Sequence, residues 1–544
     1  MYTDITKPNQ VGFSYDTPTN CSLDLLTSNL YTPPQTLPNS QPDFTFLNGT
    51  FSSLNSNYTS NTTDISAMAI WHMLQGFLST FPQYSPNSNS SSSIVGVNLF
   101  AESYGGKYGP AFASLWERQN AKRLNDTLSS TGTLAIKLVS VGIINGCVDD
   151  LIQGPYYPQM ANNNTFGLTA INPTRATYAN SSFYTPGGCR DSIISCRAAK
   201  VSQDPDGNGD VDEVNNLCSK AYSTCYDNVI DTYADSRRSY YDIAHLLPDS
   251  FPPSSYLEYL NTPSFLSAIG SPVNYTETNS QVVSEFKYTG DYERDSLVPE
   301  IASLLNSGIR VGFIYGDRDY ICNWLGGEAI SLAVASYPPA ADAYSARFPA
   351  AEYAPIIVND SYIGGVVRQF ANLSFSRIYD AGHLVPAYQP ETAFQVFARI
   401  ISGTSVSTGR AIDLKNYNTT GTANAEHKNS LPNSPPNTCW LRAIPNTCTN
   451  DQKNKIVNGE GIVVGGILYD TPNDYSSLAL QSTKTVVGKS TPVGAVASVT
   501  TVTQVLTGLY TATATPSPKN AAVPLYNSNT LMFGLTSLVF FNIL

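Results

Sequence analysis

Ile94-Val95-Gly96-Val97-Asn98-Leu99-Phe100-Ala101-Glu102-Ser103-Tyr104-Gly105-Gly106 reads as a buried strand, a sharp turn and the start of a helix. Residues 94–100 form a short apolar run, suited to a strand covered on both faces of a parallel sheet. Residues 107–124 carry a helical pattern. Between them stands Ser103, with Ala101 and Gly105 two places to either side, an A-x-S-x-G pattern. Small residues at those places let the chain turn sharply and present a serine hydroxyl above the sheet. Glycine is usual at both, and alanine is small enough to be tolerated. The turn aims the Tyr104 backbone N–H at a developing oxyanion. Taken alone, the stretch also fits an ordinary strand–helix turn with a capping serine.

Outward from this point, strands and helices alternate. Apolar residues recur at helical spacing over 64–83, and 85–93 is an Asn/Ser-rich loop. Further strand-like runs lie at 134–144, 309–315 and 375–379, the last two followed by helix-like segments at 324–336 and 390–402. The alternation predicts a doubly wound α/β sheet. Residues 150–295 are irregular, cysteine-rich and aromatic, and read as an insertion or cap.

A serine nucleophile needs a base, and the chain has four histidines: His72, His245, His383 and His427. His72 falls within a predicted helix, His245 in the cap and His427 in a polar extension. His383 follows a strand and a glycine, in Tyr379-Asp380-Ala381-Gly382-His383-Leu384-Val385-Pro386, well placed to reach a nucleophile. The imidazole in turn needs a carboxylate to fix its tautomer. The run at 309–315 ends in Gly316-Asp317-Arg318-Asp319-Tyr320-Ile321-Cys322-Asn323-Trp324, where Asp317 and Asp319 both compete for the role. The order Ser…Asp…His is that of α/β-hydrolases.

Asp317 to Gly326 resembles the G-D-x-D-x-x-C-N-W-x-G segment of serine carboxypeptidases, the family of carboxypeptidase Y. The stretch around Ser103 resembles the family's E-S-Y-x-G, and Gly382-His383-Leu384-Val385-Pro386 its G-H-x-V-P. Val11-Gly12-Phe13-Ser14-Tyr15 resembles V-G-F-S-Y, and Asn145-Gly146 with Asp149 resembles N-G-x-x-D. The motifs run in family order from residue 5 to about 400. The resemblance implies an α/β-hydrolase fold and hydrolysis of C-terminal peptide bonds, with no cofactor and no metal. It selects Asp319 over Asp317, so that Ser103, Asp319 and His383 form the triad and Tyr104 supplies an oxyanion donor. It implies that Glu102 recognises the substrate carboxylate. Two nearby carboxyls do not both ionise cheaply, so Glu102 would hold a proton and donate it in a hydrogen bond, favouring acidic pH. It implies that Cys322 is a free thiol near the site, and that Tyr157 and Ile321 wall the pocket.

Composition bounds the setting. The chain has 544 residues and a formal net charge of −12, which argues against nucleic acid as a partner. Nine cysteines (Cys21, Cys147, Cys189, Cys196, Cys218, Cys225, Cys322, Cys439 and Cys448) lack zinc-site spacing and point to disulfides, with one thiol left over or shared with another chain. Twelve N-x-S/T sequons, which make N-glycans an expected addition, agree with a secretory route to the cell surface or beyond. Yet residues 1–4 begin no signal peptide, and the family's W-x-N-G-G-P-G segment, carrying the second oxyanion donor, has no counterpart upstream of Val11. The expectation is a chain lacking its N-terminal segment.

By region, residues 1–403 read as the hydrolase domain and 404–479 as a C-terminal extension. Residues 480–529 read as a Ser/Thr-rich stalk and 530–544 as an apolar tail. The tail is shorter than the ~20 residues of a membrane span. With its polar spacer and Asn520-Ala521-Ala522 it fits a glycosylphosphatidylinositol (GPI) anchor signal, Asn520 being the candidate attachment site. The rival functions are another α/β-hydrolase chemistry, esterase or acyltransferase, and an inactive surface glycoprotein.

Overall fold

The computed structural model describes residues 10–81, 84, 96–125, 127–128, 132–425, 427–471, 474–475 and 531–534. Asn520 and the stalk at 480–529 lie outside them, as does the tail except 531–534.

Three strands near the start, β1 (Thr19–Asp24), β2 (Leu30–Tyr31) and β3 (Phe46–Phe51), pair antiparallel in the order β2-β1-β3. The central sheet takes β4 (Val97–Glu102), β5 (Leu138–Ile144), β6 (Arg310–Gly316), β7 (Tyr353–Asn359), β8 (Tyr362–Phe370) and β9 (Leu373–Ile378). A hairpin of β10 (Ile462–Val464) and β11 (Ile467–Tyr469) follows, and β12 is Leu531–Gly534. The central order is β12-β4-β5-β6-β9-β8-β7, parallel from β12 to β9 and antiparallel at β8 and β7. This is the doubly wound, mostly parallel α/β sheet the alternation predicts. β12 pairs in parallel with β4.

Successive residues of the parallel strands enter two separate cores, as a strand covered on both faces requires. Leu99, Val141 and Phe313 pack with Trp116, Ile330 and Val334 from helices Gly105–Leu124 and Trp324–Ser336. Phe100, Ile314 and Ile378 pack on the other side with Val396 and Ile400 of helix Pro390–Ile401. Helix Thr63–Thr80 is N-capped by Thr62, whose hydroxyl accepts from the Ile65 N–H, and buries Ala67, Trp71, Leu74 and Leu78 along one face.

The insertion is helical. Helices Cys189–Gln203 and Asp212–Cys225 are stapled by Cys189–Cys225 and Cys196–Cys218. An Arg197–Asp149 ion pair, with two N–H···O contacts of 2.7 and 3.1 Å, ties them to the sheet domain. Beyond residue 403 the chain turns back, and Thr422 bridges to Tyr353 and Asn418 to Phe370. Cys439–Cys448 and Ile444 pack on Leu25.

Besides the insertion, read as irregular and found helical, two sequence expectations change. The strand expected over 134–144 begins at Leu138, because the preceding backbone is held by side chains: Leu134 N–H donates to Gln75 and Ile136 N–H to Asn120. Cys322 is not a free thiol. It is bonded to Cys147, and the unpaired cysteine is the buried Cys21. Cys147 and Cys322 end up adjacent because each lies just past the end of one of two neighbouring strands, β5 and β6.

Candidate active site

Four loops leave the carboxyl ends of the adjacent strands β4, β5, β6 and β9, the crevice where open α/β sheets place ligands. Each delivers one polar residue: Ser103, Asn145, Asp319 and His383.

Ser103 sits at φ +64°, a left-handed conformation that a non-glycine residue adopts only when its surroundings impose it. Here they do. Its N–H donates to Ile144 O (3.0 Å), and its carbonyl accepts from Gly106 (2.9 Å) and Cys147 (3.1 Å). The need for small flanking residues is visible as distance. A Cβ on Gly105 would lie 2.7 Å from the Ala101 Cβ, and one on Gly106 would lie 2.6 Å from the Cys147 carbonyl oxygen. Tyr104 caps helix Gly105–Leu124, so its amide follows the serine at a helix N-terminus. Its hydroxyl bonds to buried Asp291.

His383 Nδ1 lies 2.7 Å from Asp319 Oδ2, with both side chains buried. The Nε2 atom is buried and has no hydrogen-bond partner, which leaves it available as a base. Burial acts to lower the His383 pKa. The charge and hydrogen bond of Asp319, with Glu102 adding, outweigh it and leave the imidazole raised above its ordinary value. Asp319 accepts three further bonds: from Asn145 Nδ2 (2.7 Å), Ile321 N–H (3.2 Å) and Cys322 N–H (3.3 Å).

The two competing aspartates are separated by their partners. Asp317 pairs with Arg377 at 3.0 Å, both fully buried, and does not meet His383. Arg377 also stacks on Trp324. Burial pushes Asp317 up to about 6 against the opposing pull of Arg377.

Glu102 precedes the serine and keeps some exposure. Burial raises its pKa to about 7, His383 opposing and Asp319 adding, so it is a mostly neutral acid below that pH. Ile321 is partly exposed beside the Asp319 loop. Tyr157 is 1 % exposed, packs on Tyr320 with ring centroids 5.6 Å apart and reaches Asp150 with its hydroxyl. It stands behind the Asp319 loop rather than on an open face.

Asn145 is the residue sequence reasoning passed over. It was visible only as part of an N-G-x-x-D match, yet it sits at φ +39° and spans two strands. Its N–H donates to Ile314 O and its Oδ1 accepts from Gly316 N–H, while Nδ2 reaches Asp319.

Asp319, Cys322 and His383 have ligand atoms within 4.8 Å of one another. Cys322 is committed to a disulfide and Asp319 to His383, so in this oxidised form the trio is not a metal site. What the arrangement offers instead is a serine on a strained elbow, an unpartnered basic nitrogen and a carboxylate fixing the other one.

A family model described as serine carboxypeptidase matches residues 5–403. Carboxypeptidase S1 homolog A of Trichophyton rubrum is 41% identical over 472 residues, covering 85% of this chain and 70% of that protein. Carboxypeptidase Y homolog of Arthroderma benhamiae is 36% identical over 477 residues, covering 85% and 73%. Carboxypeptidase S1 of Penicillium janthinellum is 33% identical over 339 residues, covering 62% and 72%.

Proposed function

The chain belongs to the serine carboxypeptidase family, and on that premise we propose that Ser103, His383 and Asp319 are its catalytic triad. The observation that carries this reading is the 2.7 Å His383–Asp319 bond, together with a serine held at φ +64° past the carboxyl end of a strand of the same sheet. Ser103 Oγ attacks the carbonyl carbon of the terminal peptide bond, and its proton passes to His383 Nε2. The Tyr104 N–H stabilises the oxyanion. The C–N bond then breaks, the leaving amine takes the proton from His383, and water releases the acyl group by the same steps in reverse. Asp319 holds the ring through Nδ1 and stabilises the imidazolium.

Glu102 selects for a free substrate carboxylate, because only its protonated form can donate to a carboxylate. The two titrations then oppose each other. His383 must be neutral to act as base, so kcat falls on the acid side. Glu102 must be neutral to bind, so KM rises as pH passes about 7.

Four disulfides and exposed sequon asparagines such as Asn20, Asn163, Asn180 and Asn359 support synthesis in an oxidising, glycosylating compartment. Among the described residues no helix is long and apolar enough to cross a membrane. A lipid anchor at Asn520 rests on the sequence pattern alone.

The test is hydrolysis of an N-blocked dipeptide against its C-terminal amide. The free acid should be cleaved strongly in preference. Equal cleavage of both would move the assignment to a general esterase or amidase on the same triad.

A further inference from the structure

A band of the insertion, residues 239–249, runs behind the catalytic loops and bonds to both. The Tyr240 carbonyl accepts from the N–H groups of Tyr320 (3.1 Å) and Ile321 (3.0 Å). The next carbonyl, Tyr241, accepts from the His383 N–H at 2.8 Å. Ile243 N–H donates to the Arg318 carbonyl at 2.8 Å, and Arg318 N–H to Ala381 O at 2.8 Å. The strands end at Gly316 and Ile378, and beyond them the two loops meet directly through Arg318 N–H to Ala381 O and Asp319 to His383. Tyr240 to Ile243 add a strap that bonds to both the Asp319 loop and the His383 loop.

The strap is held by an ionic centre. Asp242, fully buried, lies 3.0 Å from Arg318 Nη2, and its Oδ1 accepts from Ala244 N–H at 2.8 Å. The His245 ring stands between two carboxylates, with Nε2 3.3 Å from Asp242 and Nδ1 3.0 Å from Asp249. Phe251 and Tyr388 close the sides, and the Arg318 guanidinium lies over Tyr388. Among the described residues, the charged groups facing His245 are Asp242, Asp249 and Arg318.

His245 Nδ1 is hydrogen-bonded to Asp249, while Nε2 meets Asp242 Oδ2 at ion-pair distance; the imidazolium turns an N–H to each acid, whereas the neutral ring turns a lone pair to one of them. Charge counting agrees: two carboxylates with one guanidinium leave a negative excess that one proton removes. Burial opposes the charged ring, but the Asp249 hydrogen bond and both carboxylates outweigh it, Arg318 notwithstanding, and hold the imidazole above its ordinary value.

We propose that protonated His245 is a positioning residue, locking the 239–249 strap and so keeping Asp319 and His383 in register. It touches no substrate, and the inference rests on the triad reading above. The sign follows from the raised pKa. The lock is complete below the ordinary histidine range and is lost as pH rises through the folded-state pKa. This adds an alkaline fall in kcat, separate from the Glu102 effect on KM.

The experiment measures hydrogen-exchange protection of residues 318–322 and 381–384 from about pH 5 to about pH 9, spanning the histidine range. It compares the full chain with His245→Gln and Asp249→Asn, recording kcat and KM in parallel. In the unsubstituted protein, protection should drop about tenfold at the alkaline end, the size of one charge-assisted hydrogen bond. Asp249→Asn, which removes an acid that raises the His245 pKa, should move that drop to lower pH. His245→Gln should give low protection throughout and a kcat lowered about three- to tenfold with KM unchanged. Protection and kcat profiles that superimpose for all three proteins overturn the proposal. If no protein hydrolyses peptide, the triad reading fails on its own account, while the exchange data still decide the strap.

Discussion

Asn145 Nδ2 donates to Asp319 Oδ2 at 2.7 Å, the same oxygen that meets His383 Nδ1 at 2.7 Å. One carboxylate oxygen thus links a residue from the end of β5 to the base from the end of β9. Replacing Asn145 by Ala removes a donor to a buried charge, a bond worth ~1.5–3 kcal/mol. We expect kcat to fall about 10- to 100-fold with little change in KM. Unchanged steady-state kinetics would mean that Asp319 needs no help in orienting His383.

The two aspartates of the Asp317-Arg318-Asp319 run should fail in different ways. Asp319→Asn keeps the shape but favours the wrong histidine tautomer, and should lower kcat by ~10⁴ with a near-normal melting temperature. Asp317→Asn leaves Arg377 buried without its counter-charge and should destabilise the fold by ~3–5 kcal/mol. Thermal melts and kinetics on the same two samples separate these effects. If Asp317→Asn were the stable, inactive one, the roles would be reversed.

Glu102→Gln replaces a titrating donor by a permanent one. In the unsubstituted protein, KM for a peptide acid should rise as pH passes about 7, where Glu102 loses its proton. In the variant KM should stay level across the same range. A KM that rises identically in both would remove Glu102 from carboxylate recognition.

Thiol titration checks the disulfide pairing. Native protein should react with no equivalents of a bulky thiol reagent, because Cys21 is buried, and denatured unreduced protein with one. Two additional reactive thiols would indicate that Cys147–Cys322 is open. Cys147→Ser with Cys322→Ser should cost ~2–5 kcal/mol, since that bridge closes a span of 175 residues and joins the elbow to the Asp319 loop.

The parts of this site that were legible in the sequence are those written locally. Ser103 could be read from one strand, one turn and one helix, because small neighbours are needed within a few residues of it. His383 stood out because histidines are scarce and it follows a strand. Asn145, Cys147 and His245 were not legible, because their roles depend on which strands become neighbours. Asn145 matters only once β5 lies beside β6, and Cys147 meets Cys322 for the same reason. The β7–β8 hairpin, Tyr353–Phe370, passed unread although its tip, Asn359-Asp360-Ser361, is typical turn sequence. The register of Asp317 and Asp319 after β6 likewise emerges only when Arg377 arrives on β9 to claim the first of them.

The central claim is that Ser103 is the nucleophile activated by His383 and Asp319. A fluorophosphonate reagent tests it most directly, because attack by an activated serine displaces fluoride and leaves a stable phosphonyl ester. Peptide mass spectrometry of the labelled, folded protein should place the adduct on Ser103. Labelling should be absent in Ser103→Ala and strongly slowed in Asp319→Asn. An adduct on another residue, or none on protein shown to be folded, would contradict the account.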